Sequence, residues 1–328
     1  AMNDLAIKVA RWSTRRPYIV AFAGAYHGVT YGALSISSYR HYLIRGFHPN
    51  LPGVYHMPYP YCYRCPFDQE HPDCGLACLR YMEEYAFRSY LPPEEVAAVV
   101  FEPVAGDAGW HVPPDDWLPT LREICDRHGI VLVAEEVQTG FGRTGRMFAV
   151  EHWGVVPDIT ILGKAISCGV PNAACVIRGD LAKREGTGEP IRTGFTFSGS
   201  PLGCAAGLAN IEVIMEEGLV ENSAEMGAYV KRRLTEMMED HRIIGDVRGR
   251  GLLIGVEIVK DRDTKEPGVE EADEIILRAF KRGLYTVNMG SFGTRAIRVA
   301  PPLIIDRDQA DASLEILEGA ISEVEKGL

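Results

Sequence analysis

The sequence predicts an α/β fold: a mostly parallel central sheet flanked by helices, followed by a smaller α+β unit. Two observations carry that expectation. Short β-branched or apolar runs alternate with helical patterns through most of the chain, as strand–helix–strand units require. Near Ile243 the alternation gives way to two extended runs, one helix between them and another at the end. A large domain is therefore expected over residues 1–241 and a small one over 242–328.

The elements follow in order. In "AMNDLAIKVARWSTRRP" Met2, Leu5, Val9 and Trp12 recur at helical spacing until Pro17 stops the pattern. Ala1 and Met2 offer no capping side chain, so this helix is expected to continue a segment that lies upstream. Strands are expected at 18–22, 96–104, 130–136, 158–162 and 173–177. Between the second and third, Trp117, Leu121, Ile124 and His128 mark one face of a helix that Gly129 ends. "SGSPLGCAAGLANIEVIMEEG" and "AEMGAYVKRRLTEMMEDH" read as two further helices. In the small domain, "GLLIGVEIV" and "AIRVAPPLII" are extended and "EEADEIILRAFKRG" is helical. The last helix starts at a capping box of Asp306 and Gln309 and buries Ala310, Leu314, Leu317, Ile321 and Val324.

Composition narrows the function. The 328 residues hold 34 Lys and Arg against 45 Asp and Glu, a net charge of −11. Such a surface disfavours nucleic acid or an anionic membrane as the main partner and favours a small molecule. No apolar run approaches the ~20 residues of a membrane span. Eight cysteines are too sparse for a secreted disulfide scaffold. With no signal peptide in the sequence, a reducing cytoplasm is expected.

Chemistry concentrates at two predicted strand ends. "IVLVAEEVQTGFGRTG" places Glu135 and Glu136 where a buried parallel strand gives out, the edge at which α/β sheets bind ligands. Adjacent strand residues face opposite ways, so one carboxylate faces a ligand and the other needs its own partner; Arg143 and Arg146 are the candidates. A solvated strand end is the plainer alternative. Lys164 follows another apolar strand among small residues, where desolvation is expected to free its amine as a nucleophile, an ordinary surface lysine being the alternative. Together, a carboxylate and a lysine at neighbouring strand ends point to a Schiff-base cofactor whose ring nitrogen is held protonated.

The run "EEVQTGFGRTGRMFAVEHWGVVPDITILGKAISCGVP" resembles the signature region of class III aminotransferases, pyridoxal 5′-phosphate enzymes that include 4-aminobutyrate and ornithine aminotransferases. "AFAGAYHGVTYGALS", "FEPVAGDAGWHVPP", "TFSGSPLGCAAGLA", "VRGRGLLIGVEI" and "IRVAPPL" extend the resemblance over essentially the whole chain. It implies the fold-type I architecture, with residues 1–241 as the cofactor domain lacking its N-terminal part. It also implies that Lys164 forms the Schiff base and then shuttles a proton, and that Glu135, an aspartate in the family, pairs with the pyridine nitrogen. Tyr26 matches the aromatic residue stacked on the ring, with His27 beside it, and Gln138 the residue near the ring hydroxyl. Thr196 matches a threonine that reaches the neighbouring subunit's phosphate, which implies a homodimer with shared active sites.

For substrate, the resemblance assigns Arg298 to the α-carboxylate, a task that suits a planar bidentate fork. Asp107 matches the glutamate that masks this arginine in several ω-aminotransferases, with a shorter reach, and Glu102 matches a second acidic position. The expected reaction moves an amino group from an ω-amino acid such as 4-aminobutyrate to 2-oxoglutarate. A racemase or epimerase on the same scaffold is the alternative, and a catalytically silent homologue a third. No metal role is assigned to the active site. Cys62, Cys65, Cys74 and Cys78 stand as CxxC and CxxxC around eight residues, a quartet open to three readings: free thiols, disulfides, or a zinc or iron–sulfur site.

Overall fold

Buried parallel strands are written as unbroken apolar runs, and the runs at issue pair accordingly. In the computed structural model, which describes residues 1–183 and 186–327, the chain divides into two compact units. The first comprises Ala1–Pro103, Pro113–Gly140 and Val150–Val213; the second comprises Val104–Val112, Phe141–Ala149 and Ile214–Leu328.

The first unit holds β1 (Tyr18–Phe22), β2 (Val54–Met57), β3 (Val96–Phe101), β4 (Val131–Glu135), β5 (Ile159–Leu162) and β6 (Ala174–Ile177). Their order is β2-β1-β3-β4-β5-β6. All neighbours run parallel except β6, which is antiparallel to β5. This mostly parallel sheet is the expected one, extended by β2, whose "VYHM" is a short edge strand without an apolar run. Helix Met2–Thr14 buries Ala6, Ile7, Val9 and Ala10 on the same core as Ile19, Val100, Val133 and Ile161. Helix Trp117–His128 buries Trp117, Leu121 and Ile124 and stops at Gly129, whose φ of 62° is a left-handed cap.

In the second unit β7 (Ile244–Arg250), β8 (Leu253–Asp261), β10 (Asn288–Met289) and β11 (Ala296–Val299) form an antiparallel sheet in the order β10-β11-β8-β7, and β9 (Glu266–Pro267) adds to β8. Helices Leu219–Asp240, Val269–Lys281 and Arg307–Glu325 cover it, sharing one core of Val230, Leu234, Ile254, Ile275, Leu314 and Ile321. The change of pattern at Ile243 thus marks the first strand of this unit, while the preceding helix already packs its apolar face on that sheet. The capping box at Asp306 forms as expected, with both reciprocal hydrogen bonds to Gln309. Among the described residues no helix is long and apolar enough to cross a membrane.

Candidate active site

Parallel pairing brings the ends of β4 and β5 side by side. Glu135 is in register with Ile161, and the Glu136 N–H donates to the Ile161 carbonyl at 2.8 Å. Lys164 lies three residues beyond Ile161, so the carboxylate and the lysine occupy adjacent strand ends. Gly163 permits this closeness, since a methyl there would approach the Val137 side chain to 3.3 Å.

The two glutamates divide their work as the alternation of a strand requires. Glu135 is 5% exposed. Its Oε2 lies 3.0 Å from Nδ1 of the buried His27, and its Oε1 accepts the Val137 N–H at 2.9 Å. His27 arrives from the loop after β1, held by its own N–H, which donates to Ser37 Oγ at 2.8 Å. With Nδ1 as donor, the imidazole satisfies the carboxylate, which keeps two or more lone pairs for a third donor. His27 Nε2 is buried and has no hydrogen-bond partner, an open polar atom beside the carboxylate. Glu136, fully buried, faces the other way: it accepts from the Thr139 hydroxyl and from the Val150 N–H at 2.9 Å. The arginine partnership expected for Glu136 is not what holds it, for Arg143 donates to the carbonyls of Pro301 at 2.6 Å and Leu252 at 3.2 Å.

Lys164 departs from expectation in one respect. Its side chain is exposed in the single chain, so burial does not desolvate the amine. Its backbone carries the signal instead: φ is 42°, a left-handed conformation that disfavours side chains and recurs at functional sites. Tyr26, next to His27, is half-buried and meets the Tyr39 ring edge-on at 6.3 Å. Gln138 sits half-buried in the turn after β4. Thr196 is exposed in the loop before helix Pro201–Glu216. Phe197 beside it, and Leu202 and Leu208 in the helix that follows, are 85%, 70% and 60% exposed. Glu102, just past β3, is buried, and its carbonyl accepts the Tyr59 hydroxyl at 2.9 Å.

The second unit holds the rest of the predicted set. Arg298, on β11, lays its guanidinium over the Trp110 ring at 4.7 Å. Trp110 belongs to the turn between Ala105 and His111 that also carries the buried Asp107. Arg248 ties that turn down, donating to the Gly109 carbonyl at 2.9 Å while its Nη1 lies 2.7 Å from Glu257. Burial, and then the like charge of Arg298, pulls Arg143 down to about 10 from its usual range. Trp110 and this role of Arg143 escaped sequence reasoning; the positive φ of Trp110, 56°, is a backbone signal with no counterpart in residue type.

A buried acid with a spare acceptor, an open imidazole nitrogen next to it and an accessible amine on the adjacent strand fit a planar heterocycle with one ring N–H and one aldehyde. The comparisons agree. The family profile described as Aminotransferase class-III matches residues 1–321. The leucine/methionine racemase of Thermococcus litoralis is 41% identical, with 99% of this chain and 72% of that protein aligned. The probable 4-aminobutyrate aminotransferase of Bacillus subtilis is 37% identical over 96% of this chain and 71% of its own length. Among solved structures, an amine transaminase from an uncultivated Pseudomonas species, in a PLP-bound form, superposes with a TM-score of 0.90 at 34% identity, covering 98% of this chain and 74% of that one.

Proposed function

Because the chain belongs to the class III aminotransferases, we propose that it is a pyridoxal 5′-phosphate transaminase that takes the amino group of an ω-amino acid resembling 4-aminobutyrate and delivers it to 2-oxoglutarate. The observation that carries this reading is the buried His27–Glu135 pair at the end of β4, adjacent to the Lys164 end of β5. Pyridoxal phosphate supplies an aldehyde for a lysine amine and a ring that takes up the electrons released at a substrate carbon.

The residues of the chain do the rest. Glu135 holds the ring nitrogen protonated, and His27 and the Val137 N–H hold Glu135. Tyr26 and Gln138 would hold the cofactor ring. Lys164 would hold the cofactor through its amine and move a proton to and from the reacting carbon. Arg298, stiffened on Trp110, clamps the substrate carboxylate. Asp107 and Glu102 complete the substrate-binding set. Thr196, exposed in its loop, serves the phosphate of a second subunit in a homodimer. None of the eight cysteines is paired in a disulfide, which suits a cytoplasmic setting.

A second reading, racemisation or epimerisation, is favoured by one observation: the racemase relative is 41% identical and the aminotransferase relative 37%. Inversion at Cα needs a proton group that removes the proton and a proton returned to the opposite face. Lys164 provides that group. One experiment separates the two. The purified protein with cofactor receives enantiopure amino acids and 4-aminobutyrate, with and without 2-oxoglutarate. Glutamate formed only with the oxo acid supports transfer; loss of enantiomeric purity without it supports inversion; neither result, with no visible absorption from bound cofactor, overturns both.

A further inference from the structure

One cluster of reactive side chains takes no part in the reaction above. Between β2 and β3 the chain carries no strand, and there Cys62, Cys65, Cys74 and Cys78 all line one small cavity of about 20 Å³. That volume holds a single water-sized body. Local turns bring the sulfurs to it. Cys62 opens the short 3-10 turn Cys62–Arg64, and the Cys74 N–H donates to the Glu70 carbonyl at 2.8 Å. Gly75 and Leu76 then take left-handed φ of 52° and 55°, swinging the chain round so that Cys78, in the helix Ala77–Arg80, faces the same cavity. A leucine in that conformation costs about 1–2 kcal/mol, which the native turn must offset elsewhere.

The sulfurs also lie within electrostatic reach of one another. Cys62 is exposed as a residue, yet its sulfur is pushed up to about 11, by burial first and then by Cys65, Cys74 and Asp116. Burial likewise pushes Cys78 up to about 11, with Cys62 adding to it. A thiophilic cation deprotonates the thiols it coordinates. His71 lines the cavity too, but its Nε2 lies 3.0 Å from Asp116, which leaves the four sulfurs as the donor set.

We propose that Cys62, Cys65, Cys74 and Cys78 form a structural zinc site, one Zn²⁺ per chain, that fastens the segment between β2 and β3. Zinc closes its shell with four thiolates and leaves no open position for chemistry. On binding, four S–H protons pass to solvent and four Zn–S bonds form, with no change of oxidation state. Among the described residues no three His, Cys, Asp or Glu side chains already stand as a ligand set. The sulfurs therefore draw inward to Zn–S distances of about 2.3 Å as the protons leave. Tyr59 links this site to the sheet: it lines the cavity, meets the Phe22 ring at 5.8 Å and donates its hydroxyl to the Glu102 carbonyl.

The test uses the whole protein, purified without chelator and without added metal. Elemental analysis is expected to return about one zinc per chain, and a mercurial titrating the thiols to release it as the quartet reacts. The paired variant Cys62→Ser/Cys78→Ser is expected to keep less than about a tenth of the metal. Cys204→Ser, which alters an exposed cysteine outside the quartet, is expected to keep all of it. Should the paired variant fail to fold, the titration of the unaltered chain decides alone. Metal-free protein with four titratable thiols, two disulfides among the four positions, or full zinc retention in the folded paired variant overturns the proposal.

Discussion

The glutamate at position 135 stands where the resemblance places an aspartate, and shortening it is the sharpest test of how the site is built. In Glu135→Asp the carboxylate retreats by about 1.5 Å, the length of one bond. The contacts to His27 at 3.0 Å and to the Val137 N–H at 2.9 Å then open beyond hydrogen-bond range. His27, whose Nε2 already has no partner, is left with both ring nitrogens unsatisfied in a buried position. Two hydrogen bonds to a charged group contribute about 1.5–3 kcal/mol each, and local relaxation recovers part, so a loss of roughly 2 kcal/mol is expected. For a chain of this size that lowers Tm by about 3 °C. The rate falls as well. A cation about 3 Å from the carboxylate interacts at about 5.5 kcal/mol with an effective dielectric of 20, and at about 3.7 kcal/mol once the separation grows to about 4.5 Å; the difference corresponds to a roughly 20-fold loss in kcat/KM. Glu135→Gln is the control that keeps the length and removes the charge. It is expected to hold Tm within about 2 °C and lose about 10–1000-fold in rate, the 1–3 pKa units by which a carboxylate steadies a neighbouring cation. Thermal unfolding and steady-state kinetics on both proteins read the two effects separately. An aspartate variant with unchanged Tm and a rate within about threefold of the parent would refute the claim that this site is built around the longer side chain.

Four further outcomes follow from the same geometry. Lys164→Ala is expected to abolish covalent cofactor attachment, read as loss of the mass increment after borohydride reduction, and to lower activity by at least about 10³-fold. Trp110→Leu removes the ring beneath Arg298 and is expected to raise KM for the carboxylate substrate about 2–30-fold with kcat little changed, matching a cation–π contribution of about 0.5–2 kcal/mol; an unaltered KM would detach Trp110 from substrate binding. Leu208→Arg, on an exposed side of helix Pro201–Glu216, is expected to turn the proposed dimer into monomers by light scattering, and a variant that stays dimeric places the subunit contact elsewhere. Asp306→Ala deletes the capping box and is expected to destabilise the second unit by about 1 kcal/mol, seen as a shift of the urea midpoint with activity retained.

Much of the sheet was legible because a parallel strand buried on both faces has to be apolar throughout. Thus 18–22, 131–135 and 159–162 stand out, whereas β2, a half-buried edge carrying His56, does not. Local chemistry was legible for the same reason: the Asp306 cap is written within four residues. Long-range pairing was not. The bond between His27 and Glu135 spans 108 residues, and nothing near Glu136 announces that it will take a threonine hydroxyl and a backbone N–H in place of an arginine. The exposure of Lys164 was hidden likewise, since apolar and small neighbours in sequence say where a strand ends and not what stands above it.

The left-handed main chain at Lys164 sets stability against chemistry. Any residue with a Cβ is held there at a disadvantage of about 1 kcal/mol relative to glycine, so the most robust polypeptide at this position is one without an amine. Two inert proteins make the point. Lys164→Gly should outlast Lys164→Ala on heating, although on the proposed chemistry neither turns over. A search for thermotolerance that ignores turnover would therefore drift toward erasing the amine to which the proposed chemistry assigns the cofactor.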